Sequence, residues 1–171
     1  MFGSSVQIEE VYAWGNGFNR WEFEPFEGDG NGFKLGIEDN PPAGHVVQNS
    51  IAFGNFAKGF IDNGNPGALI FERNTAWNNG DSGFVMRSSE SRMEGNVAAE
   101  NGGEDEASLV DTVTSEGNSW DGDEAWGNAS FASVDAATLM GARGEDGRVQ
   151  GSEFLIPAGG EAIGATTLEE I

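Results

Sequence analysis

The chain's scarcest chemistry-bearing side chain is lysine: 171 residues hold only Lys34 and Lys58, against 29 acidic residues, one histidine and no cysteine. Lys34 stands in Gly28-Asp-Gly-Asn-Gly-Phe-Lys-Leu-Gly36. Successive side chains of an extended segment point to opposite faces, so burying Phe33 and Leu35 puts Lys34 out into solvent. A displayed lysine is either a solvated cation or a group with a task. Two other chemistries have thinner support. A glycosidase needs two carboxylates at a set separation, and so acidic a chain supplies such pairs by chance. His45 follows Pro41-Pro-Ala-Gly44 and reads as a turn residue. Without cysteine, neither disulfides nor thiol chemistry contribute.

The elements that must position Lys34 emerge when similar phrases are stacked. Tyr12-Ala-Trp-Gly-Asn16, Ile51-Ala-Phe-Gly-Asn55, Thr75-Ala-Trp-Asn-Asn79 and Val97-Ala-Ala-Glu-Asn101 share one pattern, their alanines separated by 39, 24 and 22 residues. Gly32-Phe33, Gly59-Phe60 and Gly83-Phe84 form a second series with steps of 27 and 24. Repeats of this length, made of short strands punctuated by Gly and Asn, predict the coils of a right-handed parallel β-helix. Each coil buries its Phe, Ala or Val about 4.8 Å from its neighbours. The recurring asparagines suit corners where the side chain bonds backbone and stacks on its equivalent in the next coil. With the phenylalanines in register, the outward position is Lys34, then Ile61, then Val85. A column that takes Ile and Val does not need Lys for solubility, which favours a task for Lys34.

The long first step comes from Trp21-Glu-Phe-Glu-Pro-Phe-Glu-Gly28, a loop whose aromatics and glutamates either line a groove or cover the coil beneath. The coils are expected over 1–129 and a covering segment of the same domain over 130–171, with a short helix near Asp135 to Met140. The first coil is expected to be uncapped, and an open strand edge invites end-to-end self-association.

The formal net charge of −21 argues against nucleic acid and anionic membranes as partners. The acidic residues are spread along the chain and Arg outnumbers Lys six to two. That composition fits a salt-loving, halophilic source or an ordinary acidic protein. At about 1 M salt the Debye length is only about 3 Å, so self-repulsion is largely screened. No apolar run approaches membrane-spanning length, and the first residues carry no basic and apolar leader of the secretory kind.

The Gly28 to Gly36 phrase, with Val47-Gln-Asn-Ser-Ile-Ala-Phe-Gly-Asn55, Ala57-Lys-Gly-Phe60, Asn63-Gly-Asn-Pro-Gly67 and Asn74-Thr-Ala-Trp-Asn-Asn-Gly80, resembles the pectate lyases of polysaccharide lyase family nine. Phe131-Ala-Ser-Val-Asp135, Ala142-Arg143, Asp146-Gly147 and Phe154-Leu155 resemble the end of the same proteins, so the likeness covers most of the chain. It implies a right-handed parallel β-helix, an extracellular parent protein and an acidic polysaccharide, pectate or polygalacturonate, as partner. It implies that Lys34 is the Brønsted base taking the C5 proton of a galacturonate in β-elimination. Calcium is the implied cofactor, acidifying C5–H through the uronate carboxylate. Lys58 and Arg20 are expected to contact substrate carboxylates. The family's aspartate cluster, with its Asp-Asp-Gly-x-Asp phrase, precedes the lysine by a few tens of residues and has no counterpart between Met1 and Lys34. The metal ligands are therefore unassigned, and the candidates near Lys34 are Asp29 and Asp62, both of which also read as turn residues. The alternative is a truncated, non-catalytic β-helix that binds acidic polysaccharide or serves as a scaffold.

Overall fold

The computed structural model describes residues 4–88, 90–104 and 106–166. Among the described residues, thirteen strands run in three parallel sheets, the arrangement of a β-solenoid. The first sheet stacks β1 (Gln7–Glu9), β4 (Val46–Gln48), β7 (Ile70–Glu72), β10 (Arg92–Glu94) and β13 (Thr114–Glu116). The second stacks β2 (Tyr12–Trp14), β5 (Ile51–Phe53), β8 (Thr75–Trp77) and β11 (Val97–Ala99). The third stacks β3 (Phe33–Lys34), β6 (Phe60–Ile61), β9 (Phe84–Met86) and β12 (Ala107–Leu109). The register is that of the repeat, since Ala13, Ala52, Ala76 and Ala98 are successive partners and Phe33, Phe60 and Phe84 are another such series.

Three columns of like residues hold the coils together. Inside, Phe33, Phe60 and Phe84 stack nearly parallel with centroids 4.6 and 4.8 Å apart, and Phe71 packs edge-on against Phe60 and Phe84. At the corner after the second sheet, the amide of Asn16 donates to Asn55 Oδ1 at 2.9 Å, Asn55 to Asn79 at 2.8 Å, and Asn79 to Asn101 at 2.9 Å. Asn101 in turn donates to a Glu106 carboxylate oxygen at 2.6 Å, which ends the column. At the corner after the first sheet, Asn74 donates to Asn96 and Asn96 to Asn118, with Ser50 taking the place of asparagine in the coil before. Each ladder lies where the chain turns and backbone groups lose their sheet partners, so the amides satisfy them internally.

Asn79 shows what one rung is worth. It is buried, donates to Ala52 O at 3.0 Å, and accepts from both the backbone and the side chain of Asn55. Asn79→Ala leaves these groups unpaired in the interior, and a loss of about 1–3 kcal/mol is expected. Urea unfolding with an unchanged slope and a lower midpoint is the check.

The corner after the first sheet also imposes a backbone condition. Its leading residue is left-handed in every coil, at Glu10, Asn49, Arg73, Gly95 and Gly117, with φ between 47° and 64°. Glycine and asparagine adopt this freely, whereas Glu10 and Arg73 do so at a small cost that the fixed corner geometry overrides.

The aromatic residues of the first repeat face outward, not inward. The alanines between them line the core, while Ile51, Phe53, Val97 and Ala99 pack against Phe131, Leu139, Phe154, Leu155 and Ala165 of the C-terminal segment. Phe154 is fully buried between Phe53 and Trp77, 5.0 and 5.8 Å from their rings. This segment lies along the flank of the solenoid and is tied there by hydrogen bonds from Ala165 N to Thr75 Oγ1 and from Thr166 N to Asn49 Oδ1, both 2.8 Å. The helix expected near Asp135 is a 3-10 helix over Ala136–Met140, with the Asp135 carboxylate accepting from Ala137 N at its start.

Candidate active site

Lys34 is the outermost residue of its column on the third sheet. Strand β3 places it opposite Ile61, which is opposite Val85. The expected register holds, with one difference in burial. Ile61 and Val85 are 9% and 1% exposed, although Val85 lies on the opposite face from the core residues Phe84 and Met86. Neighbouring segments therefore wall the outer face of this sheet, and Lys34, its side chain 41% exposed, opens to solvent at the end of a covered apolar floor. Phe33 and Leu35 are buried on either side of it, as alternation requires.

The Nζ of Lys34 is paired with the Asp29 carboxylate, from the turn just before β3. Asp29 is thus brought to the candidate base and its charge is met by that base. Asp62 is held differently. Its carboxylate is buried at the end of β6, where Oδ2 accepts from Arg87 N at 2.7 Å and Ser88 N at 2.8 Å, and Oδ1 from Gly64 N at 3.3 Å. These bonds are those of a turn anchor. Among the described residues, no three of His, Asp and Glu come together in a way that could hold a metal ion. The described residues therefore supply no carboxylate cluster for a calcium ion.

Lys58 lies at the corner leading into β6, one coil from Lys34, with its Nζ paired to Asp81 and its backbone N bonded to Asn31 Oδ1 at 3.3 Å. The hydrogen bond from Lys58, with another from Ser82 N, holds the Asp81 carboxyl below the usual carboxylate range. A depressed native carboxyl contributes stability that is present above its unfolded value and lost as pH falls through the folded one. Asp81→Asn is therefore expected to flatten the acid side of a stability–pH profile, read from thermal unfolding below neutrality.

Arg20 lies with its guanidinium against Gly15 at the end of β2. His45 Nδ1 accepts from Val6 N at 3.2 Å, a coil-to-coil bond of the kind expected for a turn residue. At the opposite end of the third sheet from Lys34, a cavity of about 300 Å³ lies between Trp120 and Trp126, with Glu106, Asp123 and Glu124 in its lining. Those carboxylates make it a poor place for an anionic sugar.

At the tip of the loop of the long first step, the aromatic rings do not cover the coil beneath. Trp21 and Phe23 are 77% and 65% exposed, and Phe26 folds back over Gly28. The residue that alternation and composition did not flag is Phe56, an exposed ring at the same corner as Lys58. Its signal was in the stack: its column partners, one residue past each ladder asparagine, are Gly17, Gly80 and Gly102.

Comparison with known proteins agrees with this arrangement. Residues 1–105 match the model of the family described as Pel9A-like, right-handed beta helix region. The pectate lyase PEL9 of Emericella nidulans is 54% identical over 169 residues, covering 97% of this chain and 41% of that protein. Pectate lyase L of Dickeya dadantii is 36% identical over 171 residues, covering 96% and 38%. The crystal structure of pectate lyase Pel9A superposes with a TM-score of 0.76 at 30% identity, over 98% of this chain and 42% of that one. The chain thus spans about two fifths of the length of the relatives it matches. In sequence, repeat and fold it belongs to the Pel9A-like right-handed β-helix family, as a pectate lyase-like protein of polysaccharide lyase family nine.

Proposed function

We propose that this chain carries the proton-abstracting part of a uronan lyase, with polygalacturonate or a closely related polyuronide as substrate and Lys34 as the base. The observation that carries this is the lone exposed amine at the end of a column whose other members, Ile61 and Val85, are apolar and covered. The neutral amine of Lys34 takes the C5 proton. The electron pair left on C5 forms the C4–C5 double bond, the C4–O bond breaks, and the departing oxygen is protonated from solvent. An ammonium has no lone pair, so Lys34 must leave its ion pair with Asp29 and give up a proton to solvent before this step.

The test is the ultraviolet absorbance of unsaturated uronide from polygalacturonate in molar salt, measured with calcium and with a chelator. Product supports the reading, and its calcium dependence shows whether metal ligands outside the described donor set are needed. No product in any condition overturns it for this polypeptide and leaves a binding or scaffold role.

We also propose a salt-adapted, extracellular setting. Glu72, Glu94 and Glu116 are successive partners on the outer face of the first sheet, placing like charges about 4.8 Å apart along the stack, with neutral Gln48 between them and Glu9. Arg92 pairs with Glu72 and Glu94 and offsets only part of this. Raising NaCl from about 0.05 to about 1 M shortens the Debye length several-fold, so the melting temperature is expected to rise. Binding of a polyanionic substrate is expected to tighten over the same range, the reverse of the usual trend for a basic site. Calorimetry and a substrate titration at the two salt levels check both.

A further inference from the structure

We infer that Phe56, braced by Phe18 and flanked by Lys58, forms a second sugar subsite that holds the polyuronide chain beyond the residue presented to Lys34. This inference rests on the reading of Lys34 as the base.

The first ground is the column in which Phe56 stands. Its register partners are Gly17, Gly80 and Gly102, so one coil alone projects a ring where the others carry no side chain. The ring gains nothing by burial, because Phe56 is 60% exposed. The glycine in the next coil, Gly80, packs on the Phe56 carbonyl, where a side chain would not fit.

The second ground is rigidity. The long loop is pinned at both ends to the two residues at this corner, Phe56 N donating to Asn16 O at 3.0 Å and Ala57 N to Gly30 O at 2.9 Å. Gly17 and Gly30 pack so closely on the Phe56 Cβ that a side chain at Gly17 would come within 2.8 Å of it. The Phe18 ring meets Phe56 edge to face, 5.6 Å between centroids and 88° between planes. The two rings form a fixed, wet aromatic platform, and an exposed apolar feature of this kind marks a binding surface.

The third ground is charge. The only two lysines of a chain with net charge −21 lie on adjacent coils, downstream of this platform in each, and each is paired with one aspartate. Lys58 follows Phe56 by two residues, and Asp29, which pairs with Lys34, precedes the Gly30 that anchors Ala57. The five residue steps from Phe56 to Ile61, the strand partner of Lys34, span at most about 17 Å, the length of a few sugar rings. A pyranose presents an apolar C–H face to an aromatic ring, and its carboxylate in a uronide seeks a cation. An aromatic surface with a few placed polar groups is the usual composition of a ligand site. The outer arc of the loop, with Glu22, Glu24 and Glu27 among its aromatics, is excluded by its own charge.

The test uses the whole chain carrying Lys34→Ala, so that no sugar is consumed, with Phe56→Ala or Phe18→Ala added. Calorimetric affinities for digalacturonate and hexagalacturonate are measured in molar salt. Phe56→Ala is expected to weaken hexagalacturonate at least about fivefold and to leave digalacturonate unchanged, with a smaller loss for Phe18→Ala. Thermal unfolding of each variant separates a binding loss from a folding loss. Equal hexagalacturonate affinity with and without Phe56 overturns the subsite, as does failure of the Lys34→Ala chain to bind either oligomer. In both cases product formation by the unsubstituted chain, and its loss in Lys34→Ala, still decides the role of Lys34 independently. Light scattering that shows Phe56→Ala dissociating an oligomer, with sugar affinity unchanged, assigns the rings to a contact between copies and overturns the subsite.

Discussion

Lys34→Ala is expected to reduce formation of unsaturated product from polygalacturonate by a factor of about 10²–10⁴, the usual contribution of a positioned general base. Fold and melting temperature should stay close to those of the parent chain. The lysine side chain is well exposed, its ion pair with Asp29 is open to water, and such a surface pair is worth about 0–1 kcal/mol. Lys34→Arg is as informative, because it keeps the cation and the length but offers a group that stays protonated at any workable pH. If Lys34 served only to bind a uronate carboxylate, Lys34→Arg would retain most activity. If it is the base, Lys34→Arg should be nearly as inactive as Lys34→Ala. Lys58→Ala supplies the contrast, since loss of a carboxylate contact is expected to raise KM more than it lowers kcat. Steady-state rates read from the unsaturated product distinguish the three variants. Undiminished activity in Lys34→Ala would end the base assignment.

Phe60→Ala is expected to be the most destabilising of these substitutions, costing about 3–5 kcal/mol. Phe60 is fully buried, stacks on Phe33 at 4.6 Å and Phe84 at 4.8 Å, and meets Phe71 edge-on at 6.2 Å. Its removal opens a void in the middle of the column, and the rings on either side cannot close it because their backbones are fixed by sheet hydrogen bonds about 4.8 Å apart. Such a loss is a large part of the total stability of an ordinary domain. The cooperative unfolding transition in urea should move to a much lower midpoint, and the base site should be lost with it, since β3 is held by its pairing with β6. Phe60→Leu is expected to recover part of the loss, because it refills most of the volume.

Much of the fold was legible because a solenoid repeats one local rule. A column of equivalent residues in space is a column of similar letters in sequence, which is why Ala13, Ala52, Ala76 and Ala98 identified three strand pairings directly. The ladder of Asn16, Asn55, Asn79 and Asn101 was visible for the same reason. The companion ladder of Asn74, Asn96 and Asn118 was not singled out. Its first two places are held by Val11 and Ser50, and its asparagines follow residues as different as Arg73 and Gly95, so the phrase does not repeat as text.

The sequence by itself determined the solenoid, the phase of its coils and the outward position of Lys34, because each follows from alternation within a strand and likeness between coils. Only the tertiary structure decided what surrounds those positions. It put Asp29 on the Lys34 amine and made Asp62 a backbone anchor, and it covered Ile61 and Val85 while leaving Phe56 bare. It also laid Phe154 and Leu155 over the outward rings of the second sheet. Each of these joins segments that share no repeat phrase, and no periodicity in the chain records where a corner, a loop or a terminal segment comes to rest.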